Sequence, residues 1–88
     1  MRPSVERMAV AMECKLREHD GQRDGWGPRD RTSGFRLLER LDAEIEELRT
    51  EVLEGDPWGI RAEAADVANY AMMLAEHFEG KGGDRGAT

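Results

Sequence analysis

Two pairs of acidic side chains occur in neighbouring segments of the sequence, Glu44 with Glu47 and Glu63 with Asp66. Residues three apart in a helix lie on the same side, so each pair would present two carboxylates to one neighbour. Mg²⁺ binds oxygen ligands of this kind, keeps several waters and accepts phosphate oxygens as further ligands. These residues therefore suggest a metal-dependent reaction of a phosphorylated substrate.

The spacing alone is weak evidence, because 19 of the 88 residues are acidic and a solvated helix face would show the same pattern. The position of the acids relative to the apolar residues is more informative. At about 100° per residue, Glu44 lies about 60° to one side of the apolar stripe of the second helix. That stripe consists of Leu37, Leu38, Leu41, Ile45, Leu48 and Val52. Glu63 lies about 40° from the centre of the stripe through Val67. We expect these two borders to meet if the helices pair antiparallel.

Three segments with apolar residues at three- and four-residue steps predict an all-α fold without strands. The expected helices span residues 4–18, 33–54 and 57–79. A glycine-rich loop over residues 19–32 and a mobile tail over residues 81–88 complete the chain, and residues 1–80 are predicted to be a single domain. We expect Thr32 or Ser33 to cap the second helix, Asp56 and Pro57 to begin the third, and Gly80 to end it.

The third helix is apolar over more than one stripe, and its main stripe is expected to be its buried face. A helix that is apolar over most of its surface is usually buried on several sides, and one small chain offers few partners. We therefore expect a three-helix protomer that assembles as a dimer or tetramer into a shared bundle. The residues of the main stripe are Ile60, Ala64, Val67, Ala71, Leu74 and Phe78.

Composition excludes several classes of function. The net charge of −6 argues against binding a nucleic acid polymer. No run is long and apolar enough to span a membrane, and the N-terminus lacks the apolar core of a signal peptide, so we expect a cytoplasmic protein without a membrane partner. Cys14 is the single cysteine, which leaves no disulfide within the chain and no cysteine metal cage.

The two acidic motifs resemble those of the MazG-like all-α nucleoside triphosphate pyrophosphohydrolases. The stretches are LDAEIEEL and EAADVANYAMML, which match the family pattern E-x-x-E followed by E-x-x-D, and the similarity covers about residues 33–79. It is most specific in the second stretch. The segment AMECKLREHDGQRDGW is similar to the N-terminal part of small stand-alone members. Ala43 is a departure, since relatives often carry another Glu there.

The resemblance implies an oligomeric helical bundle that depends on Mg²⁺, with Mn²⁺ as a possible substitute. It also implies hydrolysis of a nucleoside triphosphate to monophosphate and pyrophosphate, which clears surplus or non-canonical nucleotides. The implied metal ligands are Glu44, Glu47, Glu63 and Asp66. Either Glu44 or Glu47 can instead orient the attacking water as general base.

Candidate substrate-binding residues follow from side-chain type and position, and each has an ordinary structural alternative. The cations Lys15 and Lys81 suit a pyrophosphate leaving group, although a solvated surface role is equally ordinary. Trp26 suits base stacking or a cover over the core. The remaining candidates are His19, Asn69 and Tyr70, of which Tyr70 shares the carboxylate border.

Two non-enzymatic functions compete with hydrolysis. The first is a helical module that only oligomerises through its apolar stripes. The second is a nucleotide-sensing protein of the same fold that binds metal without turnover. Release of pyrophosphate separates the enzyme from both alternatives, and stabilisation by Mg²⁺ separates the two alternatives from each other.

Overall fold

The computed structural model of the chain describes residues 1–20 and 34–81. These residues form three α-helices and no strand, so the all-α prediction is confirmed for them. The helices are α1 (Pro3–Asp20), α2 (Gly34–Glu54) and α3 (Pro57–Lys81). None of these described helices has both the length and the apolar character needed to cross a lipid bilayer.

The helix ends lie within two residues of the predicted ends, with two corrections. The first helix was expected to end at about residue 18, but α1 continues to Asp20. Gly80 was expected to end the last helix, but α3 continues through it to Lys81. A glycine inside a helix costs only about 1 kcal/mol, so it does not stop a helix unless the backbone also turns. The proposed caps Thr32 and Ser33, and the tail beyond Lys81, lie outside the described residues.

A two-residue connection makes α2 and α3 antiparallel neighbours. Gly55 has a φ of 78°, the left-handed conformation that glycine adopts without strain after a helix. Its N–H donates to the carbonyl of Glu51 at 2.9 Å. Asp56 then caps α3, because its Oδ1 accepts from the N–H of Trp58 at 3.2 Å. This confirms the predicted start of α3 at Asp56 and Pro57.

The core lies where both other helices pack on α3. Leu37 of α2 is fully buried against Tyr70 and Met73 of α3. Three partly buried leucines surround this cluster, namely Leu16, Leu41 and Leu74. No residue of α1 is fully buried. The centre of the fold is therefore the α2–α3 hairpin, and α1 is a cover on α3.

The buried face of α3 differs from the predicted stripe. The buried positions are centred roughly a third of a turn away from Val67, on the side that carries Asp66 and Tyr70. Because α3 is apolar nearly all round, its apolar pattern does not specify which side faces the rest of the chain. The buried residues are Ala65, Asp66, Asn69, Tyr70 and Met73.

The buried face of α2 is also turned towards its carboxylates. Glu44 is half-buried, whereas Ile45 and Val52 of the predicted apolar stripe remain exposed. On α3, Ala71 and Phe78 of the predicted stripe are likewise exposed. The acids therefore lie between the helices rather than at their border, and apolar side chains are left on the outside.

Candidate metal centre

The register of the α2–α3 hairpin brings the two acidic motifs together. Near the turn, Gly59 lies against the Glu51 side chain. At the opposite end, Gly34 is so close to the ring of Phe78 that an added Cβ would lie 2.8 Å from it. Between these ends, one helical turn of each helix presents Glu44 to Asp66. The antiparallel pairing expected from the sequence thus places the carboxylates in the middle of the hairpin.

Three carboxylates form a compact cluster at this point. One oxygen each from Glu44, Glu63 and Asp66 lies within 4.8 Å of the others. Glu47, the fourth predicted ligand, is exposed. Its carboxylate still interacts with those of Glu44 and Glu63. The structure therefore places three predicted ligands together and the fourth at the solvent edge of the same cluster.

Several oxygens of the cluster are buried without a hydrogen-bond donor. Within the described residues, this holds for Oε2 of Glu44, Oε2 of Glu63 and Oδ1 of Asp66. A buried acceptor without a donor carries a desolvation penalty of about 1–3 kcal/mol. A divalent cation held by these three side chains would neutralise their charge, and carboxylate oxygens are the donors that Mg²⁺ and Mn²⁺ favour. The residues present thus fit the metal that the sequence suggested.

Two basic side chains of α1 reach the same cluster. Lys15 Nζ lies 3.5 Å from Oδ2 of Asp66 and 3.6 Å from Glu18 on its own helix. His19 Nε2 lies 4.0 Å from Oδ1 of Asp66. Both residues were predicted to contact substrate, and the structure places both beside the carboxylate cluster. Asp66 is therefore the point where α1 and the α2–α3 hairpin meet electrostatically.

Burial and mutual repulsion favour the protonated form of the acids. Burial, with the hydrogen bond and charge of Glu47 adding to it, raises the pKa of Glu44 from 4.5 to about 8. Burial and the charges of Glu47 and Asp66 raise the pKa of Glu63. Burial also raises the pKa of Asp66, and the opposing charges of Lys15 and His19 only partly offset this. Without a cation, the cluster therefore holds protons more tightly than separated carboxylates do.

The Lys15 ammonium responds to the same cluster. Burial alone lowers the pKa of Lys15, but the charges of Asp66 and Glu18 outweigh burial, and the net pKa is raised. Lys15 and Asp66 thus both show raised pKa values although they pair with each other. The reason is that Asp66 also faces burial and the charge of Glu47, which one lysine does not compensate.

The metal-free protein is expected to lose stability as the pH rises from about 5 to about 8. Glu44 has a pKa of about 8 in the folded state and an ordinary value of 4.5, which applies to the unfolded state. The folded state therefore binds the proton more tightly, and the free energy of unfolding falls as the pH rises from the lower to the higher value. Solvent screens a half-buried carboxyl, and we expect a decrease of about 1 kcal/mol, or about 5 °C in Tm. Thermal unfolding followed by circular dichroism in the presence of a chelator measures this.

The control for the pH dependence is a matched pair of variants. Glu44→Gln should flatten the profile, whereas Glu39→Gln, an exposed site on the same helix, should leave it as in the parent protein. A parent profile that is flat or rises between these pH values would show that the cluster does not take up protons on folding.

Asn69 joins α1 to α3. It is fully buried, and its Nδ2 donates to the main-chain carbonyl of Met12 at 3.1 Å. The structure thus places the Asn69 side chain in a contact within the chain. Its predicted role in substrate binding stays a prediction.

Tyr70 and Arg40 form the next contact along the hairpin. Tyr70 is 1% exposed, and its hydroxyl accepts hydrogen bonds from Nη2 and Nε of Arg40 at 3.1 and 3.3 Å. The sequence analysis did not single out Arg40. The available signal was its position four residues before Glu44, which places both side chains on one side of α2.

Two predicted substrate-binding residues are not located by the structure. Trp26 lies outside the described residues. Lys81 is the last residue of α3, and its side chain is outside the described part. Both stay predictions.

No family model, curated protein or solved structure matches this chain. The assignment of a function therefore depends on the geometry of the carboxylate cluster and on the motifs that led to it.

Proposed function

We propose that the protein is a Mg²⁺-dependent nucleoside triphosphate pyrophosphohydrolase of the MazG-like all-α type. The observation that carries this proposal is the cluster of Glu44, Glu63 and Asp66, with three buried oxygens that have no donor in the described chain. The two acidic motifs that define the resemblance are separated in sequence, and they meet at this one point in the fold.

The acidity of the cluster limits the class of substrate. A group of carboxylates repels a bare triphosphate, so the two come together only through a cation that both bind. When bound, Mg²⁺ or Mn²⁺ supplies charge neutralisation and Lewis-acid assistance to the phosphate oxygens. Glu44, Glu63 and Asp66 would hold it. A non-catalytic helical module leaves the buried oxygens unexplained, and we therefore favour a metal-dependent function.

The remaining charged residues have complementary roles in the proposed reaction. Glu47 lies at the solvent edge of the cluster, where a carboxylate can accept a proton from an attacking water. Lys15 presents a positive charge from α1, and such charge stabilises a phosphate leaving group. His19 lies on the same side of the cluster and can donate a hydrogen bond. The proposal thus assigns metal binding to Glu44, Glu63 and Asp66 and proton transfer to Glu47. The sequence alone left Glu44 and Glu47 as alternatives for the general base.

The test of the function is a screen of canonical and modified nucleoside triphosphates with Mg²⁺. We expect monophosphate and pyrophosphate as products, with activity lost on chelation and restored by Mg²⁺ or Mn²⁺. Orthophosphate as the first product would indicate another reaction class. Stabilisation by Mg²⁺ without any turnover would favour the nucleotide-sensing alternative, and absence of both would favour the oligomerisation module.

We also propose that the working form is a homodimer or homotetramer. Apolar side chains remain exposed on the outer side of the hairpin, among them Leu38, Ile45 and Phe78. Leu38 and Ile45 belong to one apolar stripe of α2, and larger exposed apolar patches are typical of subunit interfaces. Light scattering at micromolar concentration should therefore give at least twice the chain mass of 9.9 kDa.

A single charge on the outer face of α2 is expected to weaken this assembly. Ile45→Lys should shift the protein towards monomer, because a lysine at an apolar interface must be desolvated. Ala43→Lys introduces the same charge at an exposed position on the other side of α2 and should leave the mass unchanged. A parent protein that is monomeric and unfolds cooperatively would exclude this proposal.

A further inference from the structure

The contact between Arg40 and Tyr70 lies one helical turn from the carboxylate cluster on both helices. Arg40 precedes Glu44 by four residues on α2, and Tyr70 follows Asp66 by four residues on α3. Four residues correspond to about 6 Å along a helix axis. The contact between the Arg40 guanidinium and Tyr70 is therefore one turn away from the group of carboxylates on the same hairpin.

Tyr70 holds this guanidinium in a defined place. The tyrosine ring is packed between Leu37 and Met73 in the core, which fixes the position of its hydroxyl. Two nitrogens of Arg40 donate to that hydroxyl, and the guanidinium carbon lies 5.6 Å from the centre of the ring. Arg40 as a whole residue is exposed to solvent. An arginine anchored in this way loses little further conformational freedom when it binds a ligand.

The chemistry of this pair suits a phosphate group. A guanidinium carries five N–H donors in a planar fork, so it can hold a tyrosine oxygen and phosphate oxygens together. The nearby acids make the local potential negative, so an anion is attracted there only when a cation occupies the carboxylates. A polyphosphate that binds a metal ion at the cluster would extend along the hairpin to Arg40.

We propose that Arg40 binds the pyrophosphate portion of a metal-bound nucleoside triphosphate, with Tyr70 acting as the residue that positions its guanidinium. This inference rests on the metal-dependent function proposed above and adds a binding residue that the acidic motifs do not contain. It predicts that the protein recognises magnesium pyrophosphate itself, without a nucleoside.

The test uses isothermal titration calorimetry of the full chain, first with Mg²⁺ alone and then with inorganic pyrophosphate in the presence of Mg²⁺. Arg40→Ala should weaken pyrophosphate binding about tenfold or more, as expected for the loss of hydrogen bonds from a charged donor. Its affinity for Mg²⁺ should stay within about twofold, because Arg40 is not among the metal ligands. The control is Arg49→Ala, which removes the same charge from an exposed arginine of α2 that pairs with Glu46 at 3.0 Å.

Two further variants separate binding from folding. Arg40→Lys keeps the charge but lacks the planar fork, and Tyr70→Phe keeps the ring but lacks the anchoring hydroxyl. Both should weaken pyrophosphate binding by a smaller factor than Arg40→Ala, and circular dichroism reports whether each variant is folded. If Arg40→Ala does not fold, the pyrophosphate affinity of Arg40→Lys tests the role of Arg40 in its place, and an affinity equal to that of the parent would overturn that role.

The outcomes distinguish this inference from the function on which it rests. Mg²⁺ binding by the parent protein, combined with equal pyrophosphate affinity in the parent and the Arg40 variants, would overturn the role of Arg40 and leave the metal centre in place. A folded Arg40→Ala with a lower Tm and unchanged pyrophosphate binding would show a purely structural contact and would also overturn it. A parent protein that binds no Mg²⁺ would remove both proposals.

Discussion

Replacement of Glu47 by glutamine is expected to slow nucleotide hydrolysis about 100- to 10,000-fold, the range typical of losing a general base. Glutamine has nearly the same shape but cannot accept a proton from water. Glu47 is exposed and lies outside the three-carboxylate cluster. We therefore expect the variant to fold normally and to retain Mg²⁺ binding, which the thermal shift on adding Mg²⁺ measures.

The matched control for this variant is Glu46→Gln. Glu46 is the neighbouring residue and is also a glutamate, but its carboxylate pairs with Arg49 on the exposed side of α2. Its replacement should leave the rate of pyrophosphate release essentially unchanged. Parent-like turnover in Glu47→Gln would assign the base to another residue, and loss of Mg²⁺ binding would instead make Glu47 a fourth ligand.

Replacement of Asp66 by asparagine is expected to weaken Mg²⁺ binding about 100-fold or more, since loss of even an indirect partner of a metal ligand commonly costs 10- to 100-fold. Asp66 is 6% exposed and is the most buried member of the cluster. Its pKa is raised by burial in spite of Lys15 and His19. Removing its charge should therefore leave the metal-free protein as stable as the parent or more stable at neutral pH.

Calorimetric titration with Mg²⁺ and thermal unfolding with chelator together measure these two effects. Asp42→Asn is the control, because Asp42 is an exposed acid on α2, and it should change neither quantity. Equal stabilisation by Mg²⁺ in Asp66→Asn and in the parent would exclude Asp66 as a ligand. A strongly destabilised metal-free variant would show that its pairing with Lys15 outweighs the repulsion within the cluster.

The helices could be predicted from sequence because their ends depend on local signals. Asp56 with Pro57 specifies a helix start through a side-chain cap and a fixed φ. Gly55 specifies the preceding stop through its left-handed conformation. Gly80 lacks such a backbone turn, and the residue type alone was not sufficient to predict the end of α3.

The packed face of α3 could not be predicted, because it depends on which neighbours the chain provides. The apolar pattern centred on Val67 favours one side of the helix. In the fold, the hydrogen bond from Asn69 to Met12 and the packing of Tyr70 against Leu37 select another side. The specific contacts of Asn69 and Tyr70 thus fix the rotation of α3 about its axis, which the apolar pattern does not specify.

The sequence predicted which acidic residues form the cluster, but not the position of each one within it. Helical periodicity placed Glu44 and Asp66 on facing borders, and the two-residue turn fixed the register that joins them. Glu47 lies about 60° further from the apolar stripe of α2 than Glu44 does, and its side chain is exposed. The sequence analysis also missed Arg40, since it considered the carboxylates and not the cations one turn away.

Few contacts hold α1 on the hairpin, and we therefore expect it to unfold locally before the hairpin does. No residue of α1 is fully buried, and its described polar links to α3 are the Asn69 hydrogen bond and the pairing of Lys15 and His19 with Asp66. Elements with few buried contacts open at lower free energy than the core around them. When α1 opens, both basic residues leave while the carboxylates stay on the hairpin. The charge balance of the site is thus coupled to the fraction of molecules in which α1 is docked.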